Sequence, residues 1–129
     1  MNAIDRFVAA VRARDLAAFD GLFAPEVRLH SPVKYTPFEG AAAVRALLDV
    51  LLRTFEDFRY IDRLAGPDSH GLVFRATIGD KQIHGIDLIH LDDDGLIDEI
   101  TVMVRPLSAV TALGEAVLAG FAASEGTGS

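Results

Sequence analysis

Two hydrophobic periods divide this chain. Through residues 3–13 the apolar positions Ile4, Phe7, Val8 and Val11 recur every three to four residues. That spacing predicts an amphipathic helix. Asn2 is placed to cap it, with Asp5 at the capping-box position. Asp15 caps a short second helix carrying Leu16, Phe19, Leu22 and Phe23, which Ala24-Pro25 ends. A first strand follows at 27–31, where Val27 and Leu29 alternate with Arg28 and His30. Residues 32–40, P-V-K-Y-T-P-F-E-G, read as a loop punctuated by two prolines and a glycine. A third helix spans 41–54, with Val44, Leu47, Leu48, Leu51 and Leu52 inward.

After that helix the period changes to two. Strands are expected at 57–64, 70–78, 82–91 and 96–105. Gly79-Asp80 marks one tight turn and D-D-D-G at 92–95 another, with Gly95 suited to a left-handed position. A last helix runs from Leu107 to about Ala122, with Leu107, Val110, Leu113, Val117 and Phe121 as its apolar stripe. Helices first and an antiparallel meander afterwards give an α+β architecture, with helices on one face of a curved sheet. No linker or internal repeat divides residues 1–122, which read as one domain. Residues 123–129 read as a disordered tail.

The strand at 82–91 has no simply polar face. Ile83, Asp87, Ile89 and Leu91 share one side, while His84, Ile86, Leu88 and His90 share the other. A sheet with two largely apolar faces needs both covered. Helices cover one. The other is expected to meet a second copy of the chain, unless the C-terminal helix covers it.

Composition narrows the function classes. The chain has 129 residues, no cysteine and a formal net charge of −7. Disulfides and thiol chemistry are excluded, and non-specific nucleic-acid binding is disfavoured because it needs a basic surface. No run of 18 apolar residues is present to span a membrane, and M-N-A-I-D-R-F lacks the features of a signal peptide. A cytoplasmic protein is expected. No metal is expected either: His84 and His90 point away from Asp87 on the same strand, and no H-E-x-x-H occurs. The acidic run Asp92-Asp93-Asp94 reads as a solvated turn.

Several short motifs occur in order: A-P-E-V-R-L-H-S-P at 24–32, F-E-G-A-A-A-V-R-A-L-L at 38–48, G-I-D-L-I-H-L-D-D-D-G-L-I-D-E-I at 85–100 and V-M-V-R-P-L at 102–107. Together with the order of elements they resemble the nuclear transport factor 2-like superfamily, especially its SnoaL-like branch. The resemblance covers roughly residues 3–107 and implies a cone-shaped fold. In such a fold a strongly curved, mainly antiparallel sheet wraps the N-terminal helices and leaves an apolar pocket, with a C-terminal helix added. The superfamily includes ketosteroid isomerase, polyketide cyclases, epoxide hydrolases, dehydratases and binding modules, so fold alone does not carry chemistry. Beside ketosteroid isomerase, L-H-S-P is similar to the segment holding the general base, which falls on Ser31. The isomerase's catalytic tyrosine falls on Phe7. Its protonated oxyanion-hole aspartate falls on Asp87, in G-I-D-L. Serine and phenylalanine do not supply those functions, so the isomerase's full catalytic set is not carried over.

Asp87 is the leading candidate. Its neighbours Ile86, Leu88 and Ile89 are apolar. A carboxyl group there must be paired, hydrogen-bonded or protonated. If it enters the pocket it can give a proton or a hydrogen bond to a carbonyl oxygen; otherwise it is a structural carboxylate paired with Arg75 or His30. His30 and Asp98 are the candidate proton carriers. His30 alternates with Ser31, so only one of the two faces inward, and the resemblance favours Ser31. Asp98 shares the parity of Ile100, Val102 and Val104, at the pocket mouth or as an acid beside the turn. Phe7, Ser31, Tyr35, Phe55, Tyr60 and Arg75 are the expected ligand contacts, with Phe38 and Phe58 as further possible walls; ordinary core packing is the alternative for each aromatic. No cofactor is required. The expected partner is a small apolar or carbonyl-containing molecule. The functional classes left open are a cofactor-independent isomerase, cyclase or dehydratase, a noncatalytic binding module, and a dimeric interaction domain.

Overall fold

The computed structural model describes the backbone of residues 2–127 and the side chains of residues 2–123. Helix α1 (Ala3–Ala13) starts where the sequence places it, because Asn2 Oδ1 accepts the Asp5 amide at 2.9 Å. It ends at Arg14, which turns left-handed (φ 52°) and donates its amide to Ala10 and Val11 carbonyls. A non-glycine residue in that conformation costs about 1–2 kcal/mol. The second helix is a single 3-10 turn, Leu16–Phe19. Strand β1 (Phe23–His30) then begins four residues earlier than expected and runs through Pro25. Proline is tolerated because the pairing of β1 with its neighbour is interrupted between Phe23 and Arg28. Within the expected loop, Phe38–Glu39 forms a two-residue strand, β2, against Arg28 and Leu29.

Helix α2 (Ala41–Thr54) leads into β3 (Glu56–Ala65), β4 (Ser69–Ile78), β5 (Lys81–Leu91) and β6 (Ile97–Arg105). Gly95 takes φ 79° in the turn before β6, where Asp92 Oδ1 accepts the amides of Asp94 and Leu96. Helix α3 (Leu107–Thr127) follows. It extends through most of the segment expected as a tail; Gly128 and Ser129 lie outside the described residues.

The sheet corrects the sequence-based expectation. It is α+β with its helices on the sheet, but no strongly curved cone forms. The order β2-β1-β6-β5-β4-β3 is open, and the sheet is mixed, since β1 runs parallel to β6 while the other pairs are antiparallel. Curling into a closed form requires the edge strands to approach and pair. Here β2 has only two residues and pairs only with β1, and β3 pairs only with β4, so both edges stay apart.

All three helices pack on one face. Ile4, Phe7 and Val11 of α1 join Val44, Leu47 and Leu48 of α2 over Leu29, Leu72, Ile89 and Ile100. Ala109 and Leu113 of α3 pack with Phe55, Phe74, Ala76 and Ile83 on the same side. The C-terminal helix therefore does not cover the opposite face. There Val73 and Ile86 are half-buried, and Leu88 and Met103 are 39% and 48% exposed.

Inside, Phe55, Phe58, Tyr60 and Phe74 form an aromatic cluster with centroid spacings from 4.9 to 6.5 Å. Gly85 makes room for it. It lies opposite Phe74 on the neighbouring strand, and a Cβ there would sit 2.5 Å from Phe74 Cζ and 2.7 Å from the Met103 carbonyl oxygen. Neither side can yield without moving a buried ring or a backbone. Gly85→Ala is expected to destabilise the fold by about 1–3 kcal/mol, the usual cost of overpacking. Urea unfolding at neutral pH measures it; an unchanged midpoint would show that the ring has another place to go.

Candidate functional site

An apolar pocket lies between the helices and the inner sheet face, with about 70 Å³ of open volume. Phe7, Val11, Leu47, Leu51, Phe55, Phe58, Ile100, Val102 and Val117 are among its walls. Only Arg14, Ser31, Tyr60 and Asp87 bring polar side chains to it among the described residues. Arg14 and Val33 are the exposed members of the lining and mark its open end. A dry cavity of roughly 150 Å³ accommodates a benzene ring. This pocket is smaller than that, and its exposed side lies at Arg14 and Val33.

Asp87 forms the deep polar point. β5 alternation turns it inward with Ile83, Gly85 and Ile89, and it is 9% exposed. Tyr60 Oη donates to Asp87 Oδ2 at 2.8 Å. The contact is diagonal: Tyr60 pairs with Phe74 on β4, while Asp87 pairs with Leu72, two residues along the same strand. Burial pushes the Asp87 carboxyl up to about 7, and the Tyr60 hydrogen bond moderates that rise. Burial also lifts the Tyr60 phenol well above its ordinary range, with the Asp87 charge adding to the effect. Tyr60 therefore stays protonated as a donor, and Asp87 is poised between its two forms near neutrality.

The other expected residues separate into two groups. Phe7, Ser31 and Phe55 line the pocket with Asp87 and Tyr60. Ser31 faces inward as the strand alternation requires, and its Oγ accepts the Val33 amide at 3.3 Å. His30, Asp98, Tyr35 and Arg75 lie elsewhere. His30 Nε2 meets Glu99 Oε2 at 3.0 Å, and neither residue lines the pocket. This hydrogen bond, with Arg28 beside it, holds Glu99 below the usual carboxylate range. Asp98 Oδ1 lies 2.6 Å from His90 Nδ1, which raises the His90 pKa. The reason Asp98 leaves the inward set is a bulge. Leu91 pairs with Ile97 and His90 with Glu99, so Asp98 is an extra residue and strict alternation fails. Tyr35 is 98% exposed on the loop. Arg75 is exposed opposite His84, whose pKa is lowered by burial and then by Arg75 and Arg105. It does not pair with Asp87.

Arg14 is the polar pocket residue that sequence reading missed. An arginine ending a helix reads as a complement to the helix dipole, and no spacing signal separates that role from a place on a pocket wall. The Tyr60–Asp87 pair was equally hidden, because it depends on the register of three strands. Among the described residues no group of three or more histidines or acids could hold a metal, and no helix is long and apolar enough to cross a membrane.

The raised Asp87 pKa has a definite sign in stability. Between about pH 4, where the unfolded carboxyl ionises, and about pH 7, where the folded one does, the folded state holds the extra proton. Stability from this group is therefore lost as pH rises across that window, by on the order of 4 kcal/mol at full span. Asp87→Asn removes the dependence. The difference in unfolding free energy between variant and native chain is expected to grow in the variant's favour from pH 4 to 7.5, read by urea denaturation; a constant difference would place the folded pKa near its ordinary value.

The family comparisons agree with this geometry. Residues 4–100 match the family model described as SnoaL-like domain. A steroid delta-isomerase from Pseudomonas aeruginosa is 36% identical, with TM-score 0.93 over 96% of this chain and 92% of that one. An uncharacterised bacterial protein with a cystatin-like fold, from Silicibacter pomeroyi DSS-3, is 32% identical, with TM-score 0.87 over 91% of this chain and 83% of that one. A putative ketosteroid isomerase from Kribbella flavida DSM 17836, at 20% identity and TM-score 0.67 over 81% of this chain and 76% of that one, shares the fold. No curated protein matches the sequence. A small-molecule pocket in this fold, a family model spanning most of the chain and relatives above 30% identity lead to one statement: the chain belongs to the SnoaL-like family of the NTF2-like superfamily.

Proposed function

We propose that this pocket binds a compact carbonyl-bearing molecule and that Asp87 donates a hydrogen bond or a proton to the carbonyl oxygen. The observation that carries the reading is the 2.8 Å Tyr60–Asp87 hydrogen bond in an otherwise apolar pocket. Tyr60 donates to one carboxyl oxygen and thereby fixes the group, leaving the protonated other oxygen to face a ligand. A neutral acid in a water-poor site stabilises negative charge developing on that oxygen. Isomerisation, aldol-type cyclisation and dehydration all share that enol-forming step. With a pKa of about 7, the same carboxyl is also ionised in part near neutrality; in that form, in place of the donor role, it takes a proton from the carbon beside the carbonyl and returns it to the far carbon of the enol. The 36% identity to a steroid delta-isomerase supports proton transfer of this class.

A noncatalytic binding module is the second reading. It is favoured by one observation: His30 and Asp98, the expected proton carriers, are engaged with Glu99 and His90 away from the pocket. Conversion of 3-cyclohexenone to 2-cyclohexenone separates the readings with a single-ring substrate. The isomerase reading expects turnover that falls about 100-fold or more in Asp87→Asn and by a smaller factor in Tyr60→Phe. Binding without turnover supports the module; full activity in Asp87→Asn would remove Asp87 from the chemistry.

We also propose a homodimer through the outer sheet face, on the support of Leu64, Val73, Ile86, Leu88 and Met103, an apolar strip that no helix covers. Sedimentation of the native chain is expected at twice the 13.9 kDa chain mass, and Met103→Glu is expected to return it to the monomer. A monomeric native chain would overturn the dimer.

A further inference from the structure

Arg14 caps the end of α1 and also joins two features that this position does not require. It is a non-glycine residue held at φ 52°, where glycine is the usual occupant. Its side chain lines the pocket, on the exposed side, whereas Asp87 is buried. Among the described residues its guanidinium makes one hydrogen bond, from Nη2 to the Phe55 carbonyl oxygen at 3.2 Å, and no ion pair. Arg28, Arg45, Arg53, Arg59 and Arg63 are each paired with a carboxylate; Arg6, Arg12, Arg75 and Arg105 have no such pair among the described residues, but none of those four lines the pocket. Arg14 thus presents a positive charge with unused donors at the open end of an apolar pocket.

We infer that Arg14 selects a ligand bearing an anionic group, a carboxylate, at the end opposite its carbonyl. This rests on the carbonyl-binding reading of Asp87 and adds the second anchor. The ligand class becomes a small oxo acid: a compact apolar body, a carbonyl oxygen inside at Asp87 and a carboxylate outside at Arg14. A chain of net charge −7 repels anions at long range, so a local guanidinium fork is needed to hold one. Such a fork takes a carboxylate through two parallel hydrogen bonds. The Phe55 carbonyl holds the guanidinium through Nη2, much as Tyr60 holds Asp87.

Calorimetric titration with 4-oxocyclohexanecarboxylate and 4-oxocyclohexanecarboxamide tests this directly. The two probes differ only in charge at one end. The native chain is expected to bind the acid about tenfold or more tightly than the amide. Arg14→Gly is expected to erase that preference while melting at or above the native temperature, since it relieves the left-handed strain; Arg14→Lys is expected to keep part of the preference. Equal affinities for acid and amide in the native chain would overturn the inference and leave the carbonyl pocket standing. A preference that survives in Arg14→Gly, or a lower melting temperature with the preference intact, would make Arg14 a structural tie to Phe55 and overturn it as well. If neither probe binds, the carbonyl-pocket reading falls, and the inference falls with it.

Discussion

A carboxyl group enclosed by apolar side chains has few ways to exist. It can keep its proton, find a cation or take hydrogen bonds; Asp87 takes a hydrogen bond from Tyr60, and burial favours its protonated form. Among the described residues no cation reaches it, so burial drives its pKa to about 7, while the Tyr60 hydroxyl limits that rise and holds the group in place. The rest of the pocket is arranged around this constraint. Phe55, Phe58 and Phe74 keep the surroundings apolar and support the Tyr60 ring from several sides. Gly85 in turn leaves the space that Phe74 occupies. A polar pair and an aromatic cluster are therefore one mechanical unit.

The sheet is used asymmetrically. Its inner face carries α1, α2 and α3 together with the pocket, and its outer face carries an apolar strip without a helix. Covering one face with three helices gives a chain of modest length a core deep enough to bury a carboxyl. The histidines divide accordingly. His30, His84 and His90 sit among charged groups away from the pocket, next to Glu99, Arg105 and Asp98. None of the three lines the pocket, whose polar side chains among the described residues are Arg14, Ser31, Tyr60 and Asp87.

Small irregularities in pairing change which residues meet. The bulge at Asp98 shifts that carboxylate to His90, away from the face of Ile100. The interruption between Phe23 and Arg28 lets Pro25 sit inside a strand that would otherwise stop there. The shift between Tyr60 and Asp62 changes the parity of β3 just beyond the residue that reaches Asp87. The shifts at Asp98 and after Tyr60 each insert a single residue, while the β1 interruption sets residues 24–27 against one residue of β6; each has consequences for an entire face, since side chains alternate with a period of two.

Local periodicity determined most of the elements. The spacing in α1 and α2, the cap at Asn2, the turn at Gly95 and the inward set of β5 follow from residues close together in the chain, where sterics and hydrogen bonding act over one or two turns. The isolation of Asp87 among isoleucines and leucines was legible for the same reason, and the ordered motifs were sufficient to indicate the superfamily. The tertiary structure decided what strand registers and long-range packing control: the open, mixed sheet instead of a strongly curved cone, the pairing of Tyr60 with Asp87, the displacement of His30, Asp98, Tyr35 and Arg75 from the pocket, and the presence of Arg14 on its wall. Those outcomes join residues tens of positions apart, and a single inserted residue in a strand is enough to reverse them. A one-dimensional pattern records which residues are apolar, and only the folded chain determines which polar ones they enclose.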